Sequence, residues 1–356
     1  MTVHKKIKAI SLFSSAGIGE LYFEDAGIQV VVANELIERR CALYKYFHKN
    51  TTMIPWDIRD EEVKKNIISY IDSDVRLLIA TPPCQGLSSL WKNKVQEHYE
   101  SDERNYLIFH IFDIIDYWDL DYILIENVPK FLKMIFPYNK GYFTLEEILN
   151  HKYSKKYEIS VNVLDAKDYW VPQTRQRAII RMYKKHLTWD LPKKEKVITL
   201  KEAIWHLPSL ESWEKSDKYL HYVWLVNERY IEALRYTPTG KSAMQNTIYY
   251  PKKEDWERMK WFHNTFKRMK RDEPAPTRTT FCWNVNSHNN VHPWKLKKDW
   301  TYSDARPLSM LENFIVSSIP TTLSLPDGIS ETFLNTVVGE WIPPLMLKKI
   351  LLPITH

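Results

Sequence analysis

The chain has 356 residues, 44% hydrophobic and 26% charged, which excludes an intrinsically disordered protein and leaves room for two domains. Lys and Arg total 50 against 44 Asp and Glu; the net charge of +6 suits a polyanionic partner, but many soluble enzymes carry as much. The three cysteines form no CxxC pair, which excludes a disulfide framework or zinc site, and no apolar run approaches the roughly 18 residues of a membrane span. The expectation is a cytoplasmic protein in a reducing compartment, with no metal and no membrane partner.

The first half alternates short apolar runs with amphipathic stretches, the pattern of βα units around a parallel sheet. Ile7 to Phe13 predicts a strand, Glu20 to Ala26 a helix, Gln29 to Ala33 a strand, and Leu36 to Phe47 a helix. Val75 to Ala80 predicts a further strand, stopped by Pro82-Pro83. Leu107 to Trp118 reads as helical, Tyr122 to Ile125 as a buried strand, and Ile159 to Leu164 and Ala178 to Met182 as the last strands. Beyond about Lys184 the alternation fades and Trp, His, Lys and Pro accumulate as far as about Trp300. Glu331 to Leu352 returns to a helical apolar pattern.

Candidate chemistry lies at the predicted strand ends. Glycine is scarce, with eight residues, yet Gly17, Gly19 and Gly27 cluster near the start. In Leu12-Phe13-Ser14-Ser15-Ala16-Gly17-Ile18-Gly19-Glu20 such glycines let backbone N–H groups approach a nucleotide-like ligand. Glu35 could accept both ribose hydroxyls and Asp57 an adenine amino group. Taken singly, each feature is also an ordinary tight turn or a solvated acid, and the spacing does not choose between S-adenosylmethionine and NAD.

Thr81-Pro82-Pro83-Cys84-Gln85-Gly86 follows the fourth strand. A lone cysteine is ordinarily a small buried hydrophobe. A stiff Pro-Pro turn at the carboxyl end of a parallel strand favours a reactive thiol instead. Glu126-Asn127-Val128 brings a carboxyl to the next strand end, and Gln173-Thr174-Arg175-Gln176-Arg177 brings two guanidiniums. Together they suit attack on an electron-poor ring whose developing charge must be held.

In order and spacing these segments resemble the motifs of the bacterial-type DNA cytosine-5 methyltransferases. The resemblance takes in Phe13 to Gly19, Pro83-Cys84-Gln85, Arg104 to Leu107, Glu126-Asn127-Val128 and the Gln-x-Arg-x-Arg of 173 to 177. It continues through Pro274-Ala275-Pro276-Thr277 and Gly339-x-x-Ile342-Pro343-Pro344, leaving mainly 185 to 270 uncovered. It implies an α/β fold: a Rossmann-like S-adenosylmethionine-dependent methyltransferase domain at 1–185 plus 328–356, and a smaller, irregular target-recognition domain at 186–327. Phe13, Gly17, Ile18 and Gly19 would shape the methionine side of the cofactor pocket, with Glu35 on the ribose and Asp57 and Ile58 on the adenine. Pro83 and Leu107 would pack nearby. Cys84 would be the nucleophile, Glu126 the partner of cytosine N3 with a raised pKa in the closed site, and Arg175 and Arg177 the clamp on a flipped base.

Double-stranded DNA is then the expected substrate, and the chain a monomer paired functionally, without direct binding, with a restriction endonuclease. The segment after Cys84, 86 to 103, would be a loop that closes over the DNA. Among the departures, Ser11 stands for the Asp of the usual D-L-F and the glycine turn carries an extra residue. Glu340 replaces the Asn of G-N-x-V-P-P, so no cofactor contact is assigned to that side chain.

The stretch 252–271 carries Lys252, Lys253, Arg258, Lys260, Lys267, Arg268, Lys270 and Arg271 among Trp256, Trp261, Phe262 and Phe266. It reads either as a solvated helix face or, beside a DNA-modifying site, as a phosphate-contacting surface. Rival readings are a tRNA cytosine-5 methyltransferase of the same fold and an inactive DNA-binding homologue. The Cys-Phe-Thr signature of animal-type enzymes of the first group is absent, and an intact Cys84, Glu126 and arginine pair argues against the second.

Overall fold

The computed structural model describes residues 6–83, 103–260 and 264–355; Cys84 and the loop expected after it, except its last residue Glu103, lie outside these, as do Trp261 and Phe262. The chain forms two compact units, one of Met1–Asp165, Gln176–Lys193 and Leu347–His356, the other of Ala166–Arg175 and Lys194–Met346.

The first unit is built on strands Ile7–Leu12 (β1), Ile28–Asn34 (β2), Thr52–Ile54 (β3), Val75–Ala80 (β4) and Tyr122–Asn127 (β5). A hairpin of Ile135–Tyr138 (β6) and Gly141–Thr144 (β7) precedes Tyr157–Asp165 (β8) and Gln176–Lys184 (β9). The seven-stranded sheet runs β3-β2-β1-β4-β5-β9-β8; β1 to β5 pair in parallel, while β9 runs antiparallel to both β5 and β8. This is a Rossmann-like α/β methyltransferase fold. Strand β5 is buried along its whole length, as expected of a strand covered on both faces. The strand order reverses between β1 and β4, so the ligand crevice of such a sheet lies at their carboxyl ends.

Helices Glu38–Phe47 (α1), Glu61–Ser69 (α2), Leu107–Tyr117 (α3) and Leu145–Tyr153 (α4) belong to this unit. In α3 the apolar stripe Ile108, Ile111, Phe112 and Ile115 recurs at helical spacing and packs into the core with Leu78 and Ile123. The helix expected over Glu20 to Ala26 is instead a pair of 3-10 turns, Ile18–Glu20 and Glu24–Ala26. The segment is bracketed by Gly17 and Gly27, both at left-handed φ, and Glu20 is drawn inward to accept from Ser11 Oγ and Tyr44 OH.

The second unit holds the short helices Leu200–Ile204 (α5), Glu228–Arg235 (α6), Met310–Val316 (α7) and Glu331–Glu340 (α8), joined by turns and isolated strand pairs. Two hydrophobic clusters fill it, one around Leu200, Met269 and Leu311, the other around Leu234, Phe266 and Val291. It also buries a charged cluster in which Arg306 bridges Asp304 and Glu312, with His292 Nε2 3.1 Å from Glu312 Oε1. The C-terminal apolar pattern is two helices, α8 and Pro344–Leu351 (α9), broken at Trp341 to Pro343 by the proline pair.

The described residues of the stretch 252–271 form no helix, and one of its cations does not lie on the surface. Arg268 is fully buried, donating through Nε to Thr237 O and through its terminal nitrogens to Leu234 O, His292 O and Ser303 O. Burial lowers its pKa to about 10. Its charge satisfies backbone carbonyls and cannot meet a phosphate. Among the described residues no helix is long and apolar enough to cross a membrane.

Candidate active site and cofactor pocket

The carboxyl end of β1 opens into a strained turn. Phe13 and Ser15 adopt φ of 58° and 44°, left-handed values rare for residues with a Cβ, and Gly17 follows at 72°. A Cβ on Gly17 would lie 2.5 Å from the His48 ring and 2.8 Å from Tyr44, so only glycine fits here. His48 Nε2 lies 2.9 Å from Gly17 O. Ile18 and Gly19 are buried in the 3-10 turn that follows.

Glu35, buried at the end of β2, accepts from Ser15 N at 2.9 Å and Ile37 N at 2.8 Å. One carboxylate thus ties the β1 turn to the β2 end. Ser15 Oγ, in the middle of this turn, is buried without a protein partner, an orphaned hydroxyl of the kind a polar ligand satisfies. Asp57 follows β3 with its carboxyl held below the usual range by Arg59, which donates to it from Nε and from its backbone N. Ile58 beside it is buried, and Leu107 packs, with Phe13, against the core of the unit. The orphaned hydroxyl, the glycine cradle and two acids at successive strand ends fit S-adenosylmethionine, the cofactor that the resemblance implies.

Strand β4 ends at the Pro-Pro segment, which is fastened on both sides. Thr81 donates from N to Leu12 O and from Oγ1 to Phe13 O, holding the segment to the β1 turn. Asn127, at the end of β5, donates from Nδ2 to Pro82 O at 2.9 Å. Neither tie was anticipated from sequence, although Asn127 lies within the Glu-Asn-Val motif. Pro83 is the last described residue before Cys84. Beside Asn127, Glu126 is buried and receives Arg177 Nε from β9 at 2.7 Å. This antiparallel strand therefore delivers a cation to the carboxyl at the end of a parallel one.

Arg175 and Arg177, paired in the sequence reading, sit in different units. Within the second unit Arg175 donates to Arg278 O at 2.7 Å and Gly339 O at 2.8 Å. Gln173 accepts from Arg278 N, Thr174 N bonds Ala275 O, and Thr277 Oγ1 donates to Thr174 O. The Gln-x-Arg, Pro-Ala-Pro-Thr and Gly339 motifs therefore form one knot. A Cβ on Gly339 would lie 2.3 Å from Thr279 C, which explains the glycine.

Burial pushes the Cys41 thiol up to about 11 and raises that of Cys282, whose Sγ is 3.1 Å from Asn335 Oδ1. Neither is a thiolate near neutral pH.

A family model described as C-5 cytosine-specific DNA methylase matches residues 7–356, and the chain belongs to that family. It is an enzyme of the DNA cytosine-5 methyltransferase class. It is 41% identical over 347 residues to the Type II methyltransferase M1.HgaI of Avibacterium volantium, covering 97% of each chain. It is 30% identical over 213 residues to M.NgoPII of Neisseria gonorrhoeae, 58% of each. Among solved structures, one of a DNA modification methyltransferase encoded within a prophage (E. coli) matches with a TM-score of 0.65 at 18% identity, covering 98% of each chain.

Proposed function

We propose that the chain methylates C5 of a flipped-out cytosine within a specific duplex sequence, as the modification enzyme of a restriction-modification system, with Cys84 as nucleophile. The observation that carries this reading is the double fastening of the Pro-Pro segment, to the β1 turn through Thr81 and to the end of β5, where Glu126 pairs with Arg177, through Pro82. Of the three cysteines, the other two are buried with raised thiol pKa values.

The chemistry follows from the ring. Cytosine C5 is too weak a nucleophile unaided, and C6 is unreachable in stacked DNA, so flipping costs about a few kcal/mol before reaction. The Cys84 thiolate forms a bond to C6, and the displaced ring electrons make C5 nucleophilic. Glu126 shares a proton with N3 and so absorbs the charge that builds there, while Arg177 fixes its carboxyl. Bound S-adenosylmethionine supplies an electrophilic methyl group. Once C5 carries that methyl, its proton passes to water, the C5–H electron pair re-forms the C5–C6 double bond, and the C6–S pair leaves with the Cys84 thiolate. Glu35 holds the cofactor ribose, Asp57 and Ile58 its adenine, and Phe13 and the Gly17–Gly19 turn its methionine end. Arg175 supports the clamp by fixing the backbone at Arg278 and Gly339. The second unit reads the sequence.

Bisulfite sequencing of DNA and tRNA from cells expressing the chain tests this reading. Methylcytosine confined to one sequence is the expected result; its absence, or methylation confined to tRNA, would replace it.

A further inference from the structure

The second unit contains the same hairpin twice. Lys253-Glu254-Asp255-Trp256 and Lys297-Lys298-Asp299-Trp300 share a Lys-x-Asp-Trp pattern. In the first, Lys253 N bonds Glu257 O and Trp256 N bonds Lys253 O; in the second, Lys297 N bonds Thr301 O and Trp300 N bonds Lys297 O. Each aspartate caps its own turn, Asp255 Oδ1 accepting from Glu257 N and Asp299 Oδ1 from Thr301 N, both at 3.0 Å. The flanks pair antiparallel as Lys252 with Arg258 and Leu296 with Tyr302.

Each turn ends on a tryptophan in the left-handed region, at φ 66° for Trp256 and 65° for Trp300. Glycine or asparagine fits that position without strain. Both indoles are also exposed, 68% and 78%. Strain and exposure of a large apolar ring both oppose folding; Trp170 and Trp213 share them, but only Trp256 and Trp300 close the same Lys-x-Asp-Trp hairpin.

The hairpins are linked through one run of contacts. Tyr302 N bonds Arg235 O at the end of α6, next to Tyr236, whose ring stacks on Tyr249 at 4.0 Å. Asn246 links Tyr249 to the first hairpin: its Nδ2 donates to Tyr249 O and its carbonyl accepts from Arg258. The Lys252 ammonium lies 5.4 Å from the Trp256 ring. Glu254, Asp255 and Glu257 balance Lys252, Lys253 and Arg258 in the first hairpin, whereas Lys295, Lys297 and Lys298 outnumber Asp299 in the second, with Lys297 Nζ 3.2 Å from Glu211 Oε1.

We infer that these paired hairpins are the edge of the second unit that engages duplex DNA. Trp256 and Trp300 pack against bases or sugars as aromatic wedges, and the lysines beside them meet phosphates. This inference rests on the DNA-modifying reading above and names the residues through which the second unit holds the duplex.

The test uses the full chain with Trp256→Gly, Trp300→Gly, the double variant and the matching Phe variants. Glycine suits the left-handed turn, so melting temperatures should hold or rise. Fluorescence anisotropy on a labelled duplex should show about a tenfold or greater loss of affinity for the double glycine variant. The Phe variants should retain most of the affinity, and cofactor binding should not change. A double glycine variant with unaltered melting temperature and unaltered duplex affinity overturns the inference. So does one that keeps duplex affinity but loses a self-association seen in the wild type, which would make the occupant a second copy. Failure of the methyltransferase reading shows separately, as absent methylation by the wild-type chain, and leaves the binding comparison intact.

Discussion

Single residues carry much of the architecture through backbone contacts. With its guanidinium on carbonyls from three separate stretches of the second unit, Arg268 leaves several buried acceptors unpaired when truncated. Arg268→Ala should cost about 3–5 kcal/mol of that unit's stability, read by chemical denaturation. The salt dependence of duplex binding by the folded protein should stay as it is, because no phosphate contact is lost. Gly339→Ala should cost about 1–3 kcal/mol, because the new methyl meets backbone at Thr279 rather than a yielding side chain; a melting temperature equal to wild type would refute the close approach. At this scale the sequence spoke unevenly. Glu35 and Asp57 follow the ends of β2 and β3, as the alternation of strands and helices led one to expect. Arg268 was not legible: it stands in a cationic run with Lys267, Lys270 and Arg271, and nothing local distinguishes the one whose side chain points inward.

At the scale of elements, the parallel strands were readable because both-face burial leaves continuous apolar runs, and Val75–Ala80 stands where its pattern put it. The short helices were not read, although three carry capping boxes at their starts, a signal the sequence reading passed over: Thr144 with Glu147, Thr199 with Glu202 and Ser309 with Glu312. Hidden from the sequence were the ties between elements, because a side chain's bond to a distant carbonyl leaves no periodic trace. The bond from Asn127 to Pro82 is the most consequential of these. Asn127→Ala should free the segment leading to Cys84, so single-turnover methylation should slow about tenfold or more while calorimetric affinity for S-adenosylmethionine holds. An unaffected rate would show that the β4 segment needs no support from β5.

Across the whole molecule, stability should depend on pH through the buried charges of the second unit. Burial, and then the nearby Arg306, lower the pKa of His292 below its ordinary 6.5, so the folded state resists the proton that the unfolded chain takes up. Stability is therefore full above about 6.5 and falls as the pH drops below it. Burial would raise the Glu312 carboxyl, but Arg306 overcomes it and holds it well below 4.5, adding a second loss in more acid solution. Urea unfolding should accordingly show stability declining from pH 7 to pH 5, and His292→Gln should flatten that decline; an unchanged slope would remove His292 as its source. The central claim concerns Cys84, and the most direct measurement is covalent trapping on duplex DNA carrying 5-fluorocytosine at the methylated position. Fluorine cannot leave as a proton, so the wild-type chain with S-adenosylmethionine should form an adduct that survives denaturing electrophoresis, and Cys84→Ser should form none. An adduct that persists in Cys84→Ser would contradict the account.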